Sequence, residues 1–155
     1  MTFCERRSET DRWTPQPAGW GVHSAWHDRL VSWPPQIGEL LPRAEDAYGV
    51  QEKLLNYSLK AGHPRRKAEA FARVLAVTAH DLEYVAEALL SGVRTTPMSG
   101  VRPAGVHGFH CEVIVQVRGV RDRAHRVANV LTAWQIRREG DRPRLITAYI
   151  VSRVG

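Results

Sequence analysis

A histidine, a lysine and a short row of hydroxyl and guanidinium groups are the side chains here whose types and spacing suit acid–base work on a phosphate. His63, beside Pro64 between two helical segments, has an imidazole that titrates near neutral pH and is the foremost acid–base candidate. Lys67 follows four residues later near a helix start, where its charge and the backbone N–H groups both favour an anion. The last strand-like run, Pro143-Arg144-Leu145-Ile146-Thr147-Ala148-Tyr149, places Thr147 and Tyr149 two apart, hence on one face. Arg144 lies three before Thr147 and shares that face only if the strand begins after it or is bulged. Thr132 on the preceding strand extends the hydroxyl row, and Lys53 is a further cation of the same kind. Cutting RNA without a metal needs a base for the 2′-hydroxyl, an acid for the leaving 5′-oxygen and cations for the phosphoryl oxygens. Each residue also has an ordinary use: His63 as a loop histidine, Lys67 as a solvated helix lysine, the threonines and tyrosine as favoured strand residues.

The positions of these groups depend on a helical half followed by a strand half. Leu54, Leu55, Tyr57 and Leu59 suit a short helix that stops around Ala61-Gly62-His63-Pro64, since the residue before proline is pushed out of helical geometry. A second helix over 67–76 aligns Ala68, Phe71, Ala72 and Leu75. Thr78 with Asp81 caps a third, which turns Leu82, Val85, Ala86, Leu89 and Leu90 inward and stops at Gly92. Residues 95–108, rich in Gly and Pro, predict a mobile loop. Three strands follow over 109–118, 126–137 and 144–152, with Gly140-Asp141 turning the second link. The fold class is therefore α+β: two to three helices on one face of a three- to four-stranded antiparallel sheet. Ahead of it, residues 1–45 form a Trp/Pro-rich arm. Trp13, Trp20, Trp26 and Trp33 alternate with prolines and glycines that prevent long elements, apart from a short helix over 24–32. Residues 46–155 form the domain.

Composition narrows the partners. The net charge of +6 is concentrated in residues 46–155, where seventeen Lys/Arg face ten Asp/Glu, so an acidic partner such as RNA is expected. Nineteen of the twenty-two cations are arginine, which a GC-rich coding sequence would also produce. Two basic turns stand out, Arg118-Arg121-Arg123-His125-Arg126 and Arg137-Arg138-Arg142-Arg144; they suit phosphate contacts or solvated strand edges equally. Lys53, Arg66, Thr132, Arg121, Arg123 and Arg138 are the expected RNA contacts. Two cysteines, no apolar signal core and no membrane-length segment point to a reducing, cytoplasmic setting away from membranes. His23/His27 and His107/His110/Cys111 lack a second ligand pair, so neither a metal nor another cofactor is expected. There is no phosphate-binding glycine fingerprint, nucleophile elbow or CxxC pair.

The pattern Lys53-Leu54, Tyr57, Leu59, His63-Pro64, Lys67-Ala68, Phe71, Leu75, then Thr132-Ala133-Trp134, then Pro143 to Tyr149, resembles a small bacterial domain family of unknown function. That family is similar to the Barnase-EndoU-colicin E5/D-RelE superfold, covering roughly residues 50–151. The resemblance implies a ribonuclease of the kind used as a toxin, acting on tRNA or mRNA and neutralised by a cognate antitoxin or immunity protein. The residue chemistry above supplies the catalytic candidates for such an activity: His63, Lys67, Thr147 and Tyr149, with Arg144 if the strand begins after it or is bulged. The chain departs from the pattern where Arg65-Arg66, rather than a glycine, precede Lys67. The other class of function is a non-catalytic interaction module, an antitoxin, adaptor or inactive relative, which needs no convergence of reactive side chains.

Overall fold

Three helical segments precede four strands in residues 32–62 and 64–154, the part of the chain that this computed structural model describes. Residues 1–31, with most of the expected arm, and His63 lie outside the described residues. Helix α1 (Val50–Lys53) runs on into a π-helical turn over Leu54–Ser58, where the Leu59 N–H donates to the Leu54 carbonyl five residues back at 2.7 Å. The wider winding displaces the apolar stripe expected from a 3.6 period. Leu54, Ser58 and Leu59 are buried, whereas Leu55 and Tyr57 face outward.

Helix α2 (Lys67–Leu75) is closed at both ends by left-handed residues, Arg66 at φ 53° and Ala76 at φ 58°, and buries Phe71, Val74 and Leu75. The expected cap of the next helix forms: the His80 N–H donates to Thr78 Oγ1 at 3.3 Å and the Thr78 N–H donates to Asp81 at 2.9 Å. After a 3₁₀ turn, helix α3 (Leu82–Val93) buries Val85, Ala86, Leu89 and Val93. Gly92, expected to stop this helix, lies inside it. A Cβ there would stand 2.2 Å from Val115 Cγ1, so the glycine serves the close approach of helix and sheet.

The sheet is antiparallel in the order β1 (Gly100–Pro103), β2 (Phe109–Arg118), β3 (Val127–Ile136), β4 (Arg144–Val154). Strand β1 occupies what the sequence predicts as a mobile loop. Its glycine and proline are compatible with pairing because it is an edge strand, needing donors on one side only. Alternation sends Cys111, Val113, Val115 and Val117 of β2, with Ala128, Val130, Thr132, Trp134 and Ile136 of β3, into the core beneath the helices. Residues 33–45, grouped with the arm by composition, supply Leu41 and Ala44 to that core, and Trp33 packs edge-on against Phe109 at 5.4 Å. No helix among the described residues is long and apolar enough to cross a membrane.

Gly92→Ala should therefore cost about 1–3 kcal/mol, the range for overpacking, despite alanine's better helix propensity. Urea denaturation measures this, and a neutral or stabilising substitution would contradict the tight α3–β2 contact.

Candidate active site on the edge strand

β4 pairs with β3 along one side and lies at the edge of the sheet, and its register shifts twice, near its start and again opposite Asn129 and Val130. Trp134 faces Leu145 and the preceding Ala133 faces Thr147, leaving Ile146 as the extra residue of a β-bulge. The bulge decides which side chains can act together. Leu145 and Ala148, three apart, are both buried, while Arg144, Thr147 and Tyr149 pair with Gln135, Ala133 and Leu131, which alternate along β3 and so share one face. Arg144 thus joins Thr147 and Tyr149 on one side of the sheet.

Lys67 reaches this face from the first residue of α2. Its ammonium donates a short hydrogen bond to Thr147 Oγ1 and lies 5.4 Å from the centre of the Tyr149 ring. Burial first, then the charges of Arg65 and Lys53, hold the Lys67 amine below the ordinary lysine value. The neutral amine, a base, is thereby brought closer to working pH. Lys53 itself lies over the Tyr57 ring at 4.5 Å, an i,i+4 contact across the π-helical turn. An open pocket of about 340 Å³ beside Lys67 is lined by Arg65, Arg66, Thr147, Tyr149 and Ile150. Cations, a hydroxyl and an aromatic face around one hollow suit a phosphate with a base stacked nearby.

The backbone ahead of Lys67 is strained. Arg66 holds a left-handed conformation, φ 53°, that glycine adopts without cost and an arginine does not. Its guanidinium turns to Glu69 in a short ion pair within the first turn of the helix.

Several expected contacts fall elsewhere. Thr132 does not extend the hydroxyl row: it faces Ala148 on the core side, fully buried, its hydroxyl donating to the Val113 carbonyl at 2.7 Å and accepting from Trp134 Nε1 at 2.8 Å. Arg121 is a structural cation. It forms a two-pronged pair with Asp81 at 2.9 and 3.0 Å and donates to the Ala76 carbonyl at 2.9 Å, tying the β2–β3 connection to the C-terminal end of α2. Lys67 opens that helix, so the two sites stand roughly 13 Å apart along its axis. Arg123 lies in the same turn as Arg121, and Arg138 is exposed in the β3–β4 turn; neither lines the Lys67 pocket. Arg144 keeps to a neighbouring hollow on the same face. Arg65, which the sequence does not single out, joins the pocket lining. One signal was available: the chain's three lysines, 53, 60 and 67, all fall within fifteen residues of a sequence that otherwise uses arginine for positive charge. Cys111 points into the core, where burial pushes its thiol up to about 12, so it is no nucleophile.

An α+β domain bearing a basic pocket with hydroxyl groups on an edge strand is the class that the fold and this geometry define. The chain belongs to the family described as Domain of unknown function (DUF6883), whose model matches residues 40–152. No curated protein and no solved structure matches the chain.

The Asp81 carboxyl is held below its usual range chiefly by its hydrogen bonds with Arg121, with the Thr78 backbone N–H adding to the effect. A depressed carboxylate pKa contributes stability that is present above the ordinary Asp value and lost as pH falls through the folded one. Asp81→Asn should thus lower stability by no more than about 1 kcal/mol at neutral pH, the pair being partly exposed. That gap should close in acid, and denaturation curves showing a gap independent of pH would contradict the assignment.

Proposed function

We propose that this domain is a metal-independent endoribonuclease of the Barnase-EndoU-colicin E5/D-RelE type, the toxic half of a pair acting on cytoplasmic tRNA or mRNA. The observation that carries the reading is the Lys67 amine, depressed by burial and neighbouring cations, bonded to Thr147 and stacked beside Tyr149. Helices followed by a four-stranded antiparallel meander agree with that superfold, though the architecture alone serves many functions. In the reaction Lys67, once it has lost its own proton, takes the proton of the 2′-hydroxyl as the 2′-oxygen bonds to phosphorus and the bond from phosphorus to the 5′-oxygen breaks. Thr147 fixes the direction of the amine. Arg65 and Lys53 stabilise the charge that grows on the phosphoryl oxygens, the role a metal plays in other nucleases. The 5′-oxygen takes its proton from the Tyr149 phenol or the His63 imidazole. The excess of cations in residues 46–155 supports an acidic antitoxin or immunity protein as the neutralising partner.

Purified wild type, Lys67→Met, Thr147→Val, Tyr149→Phe and His63→Ala, incubated with total RNA and resolved on a gel, test this. Lys67→Met should lower the cleavage rate about 10²–10⁴-fold, the contribution of a general base. Thr147→Val should cost less, and whichever of Tyr149→Phe and His63→Ala falls further identifies the acid. RNA left intact by the wild type would sink the nuclease reading in favour of a non-catalytic binding module.

A further inference from the structure

The β3–β4 turn builds a second basic hollow on the face that carries Thr147. Tyr48, Gln135, Arg137, Asp141, Arg142 and Arg144 line about 300 Å³ of space, three guanidiniums against one carboxylate. The hollow has a fixed wall. Arg142 donates through Nε to the Asp46 carbonyl at 3.1 Å and lies 4.3 Å over the Tyr48 ring. Tyr48 in turn is clamped to the start of β4, its N–H donating to the Pro143 carbonyl and its carbonyl accepting from the Leu145 N–H, both at 3.0 Å. Arg43 donates to the Gly140 carbonyl and so fastens the turn itself. The Arg137 and Arg144 guanidiniums, by contrast, have no hydrogen-bond or ion-pair partner among the described residues, whereas Arg43, Arg66 and Arg121 are each committed to a carboxylate.

We infer that this hollow is a phosphate subsite for single-stranded RNA, holding the phosphodiester next to the one at Lys67. The inference rests on RNA occupying the Lys67 pocket. Because Ile146 is bulged, Arg144 stands on the same face as Thr147 at only two residues' rise along β3, about 7 Å. That separation matches neighbouring phosphates of an extended strand, which would run along β4 with one phosphate per hollow. Two arginines, Arg137 after β3 and Arg144 at the start of β4, offer a phosphate forked donors that a lone lysine lacks. An acidic protein partner would also be attracted, but it has no reason to need two anion hollows spaced along one strand.

Binding of 2′-O-methyl oligonucleotides, which offer no 2′-hydroxyl for cleavage, tests the subsite apart from the reaction. Full-length wild type and Arg137→Gln/Arg144→Gln are compared on a dinucleotide with one phosphodiester and a tetranucleotide with three, with Arg138→Gln as a control. The double variant removes guanidiniums that make no hydrogen bond or ion pair among the described residues. The tetranucleotide should bind it about tenfold more weakly, with a salt slope shallower by about 0.7, the value for one phosphate contact on a single strand. Dinucleotide affinity should not change. Equal loss for both lengths would reduce the hollow to a general charge effect, and no loss for either would hand it to a protein partner; both results overturn the subsite. Length-dependent binding by a protein that leaves RNA uncut would overturn the nuclease reading alone.

Discussion

One extra residue in an edge strand organises this molecule's chemistry. In a regular strand Arg144 and Thr147 would point to opposite faces, and only one could join Tyr149. The bulge at Ile146 turns both Leu145 and Ala148 into the core while Arg144, Thr147 and Tyr149 line the opposite side. Bulges sit well at sheet edges because only one ladder has to absorb the misfit. Here the free side of β4 is covered by Ser58, whose hydroxyl donates to the Ala148 carbonyl, and by Tyr48, which bridges to Arg144. The same two contacts bring the π-helical turn and the loop before α1 up to the strand.

The second constraint is the crowding of cations around Lys67. A lysine that loses hydration and faces two further positive charges is more costly in its protonated form than an ordinary lysine, so the site eases loss of its proton and gains from an added anion. The Thr147 hydroxyl gives the amine a fixed direction, and the left-handed Arg66 sets where the helix starts and hence where Lys67 emerges. Strain of that kind persists where surrounding contacts over-determine it, and here the Arg66 pair with Glu69 and the packing of Phe71, Val74 and Leu75 do so.

Much of this was legible in the sequence, and the misses have identifiable physical causes. The Thr78–Asp81 capping box, helix α2 and strands β2 to β4 follow from local pattern, as does the pairing of Thr147 with Tyr149 on one face. The π-helical turn was not visible, because Leu54, Leu55, Tyr57 and Leu59 fit an ordinary period equally well and only tertiary packing selects the wider winding. Thr132 was misjudged since a strand threonine reads alike on either face until register is known. Gly92 and β1 misled for a shared reason: glycine and proline were read as stops, while one permits close packing against Val115 and the others are tolerated at an edge. Arg121 resembled any other arginine in a basic turn, and its commitment to Asp81 spans forty residues.

Everything proposed for the pocket depends on Lys67, at the edge strand, giving up its proton more readily than an ordinary lysine. Observing the Lys67 side-chain nitrogen by NMR through a pH titration, in wild type and in Thr147→Val, tests it most directly. Wild type should show a midpoint below the ordinary lysine value of 10.5, and the variant a lower one still, once the hydroxyl that accepts from the ammonium is gone. A midpoint at the ordinary value, or one indifferent to Thr147, would contradict it.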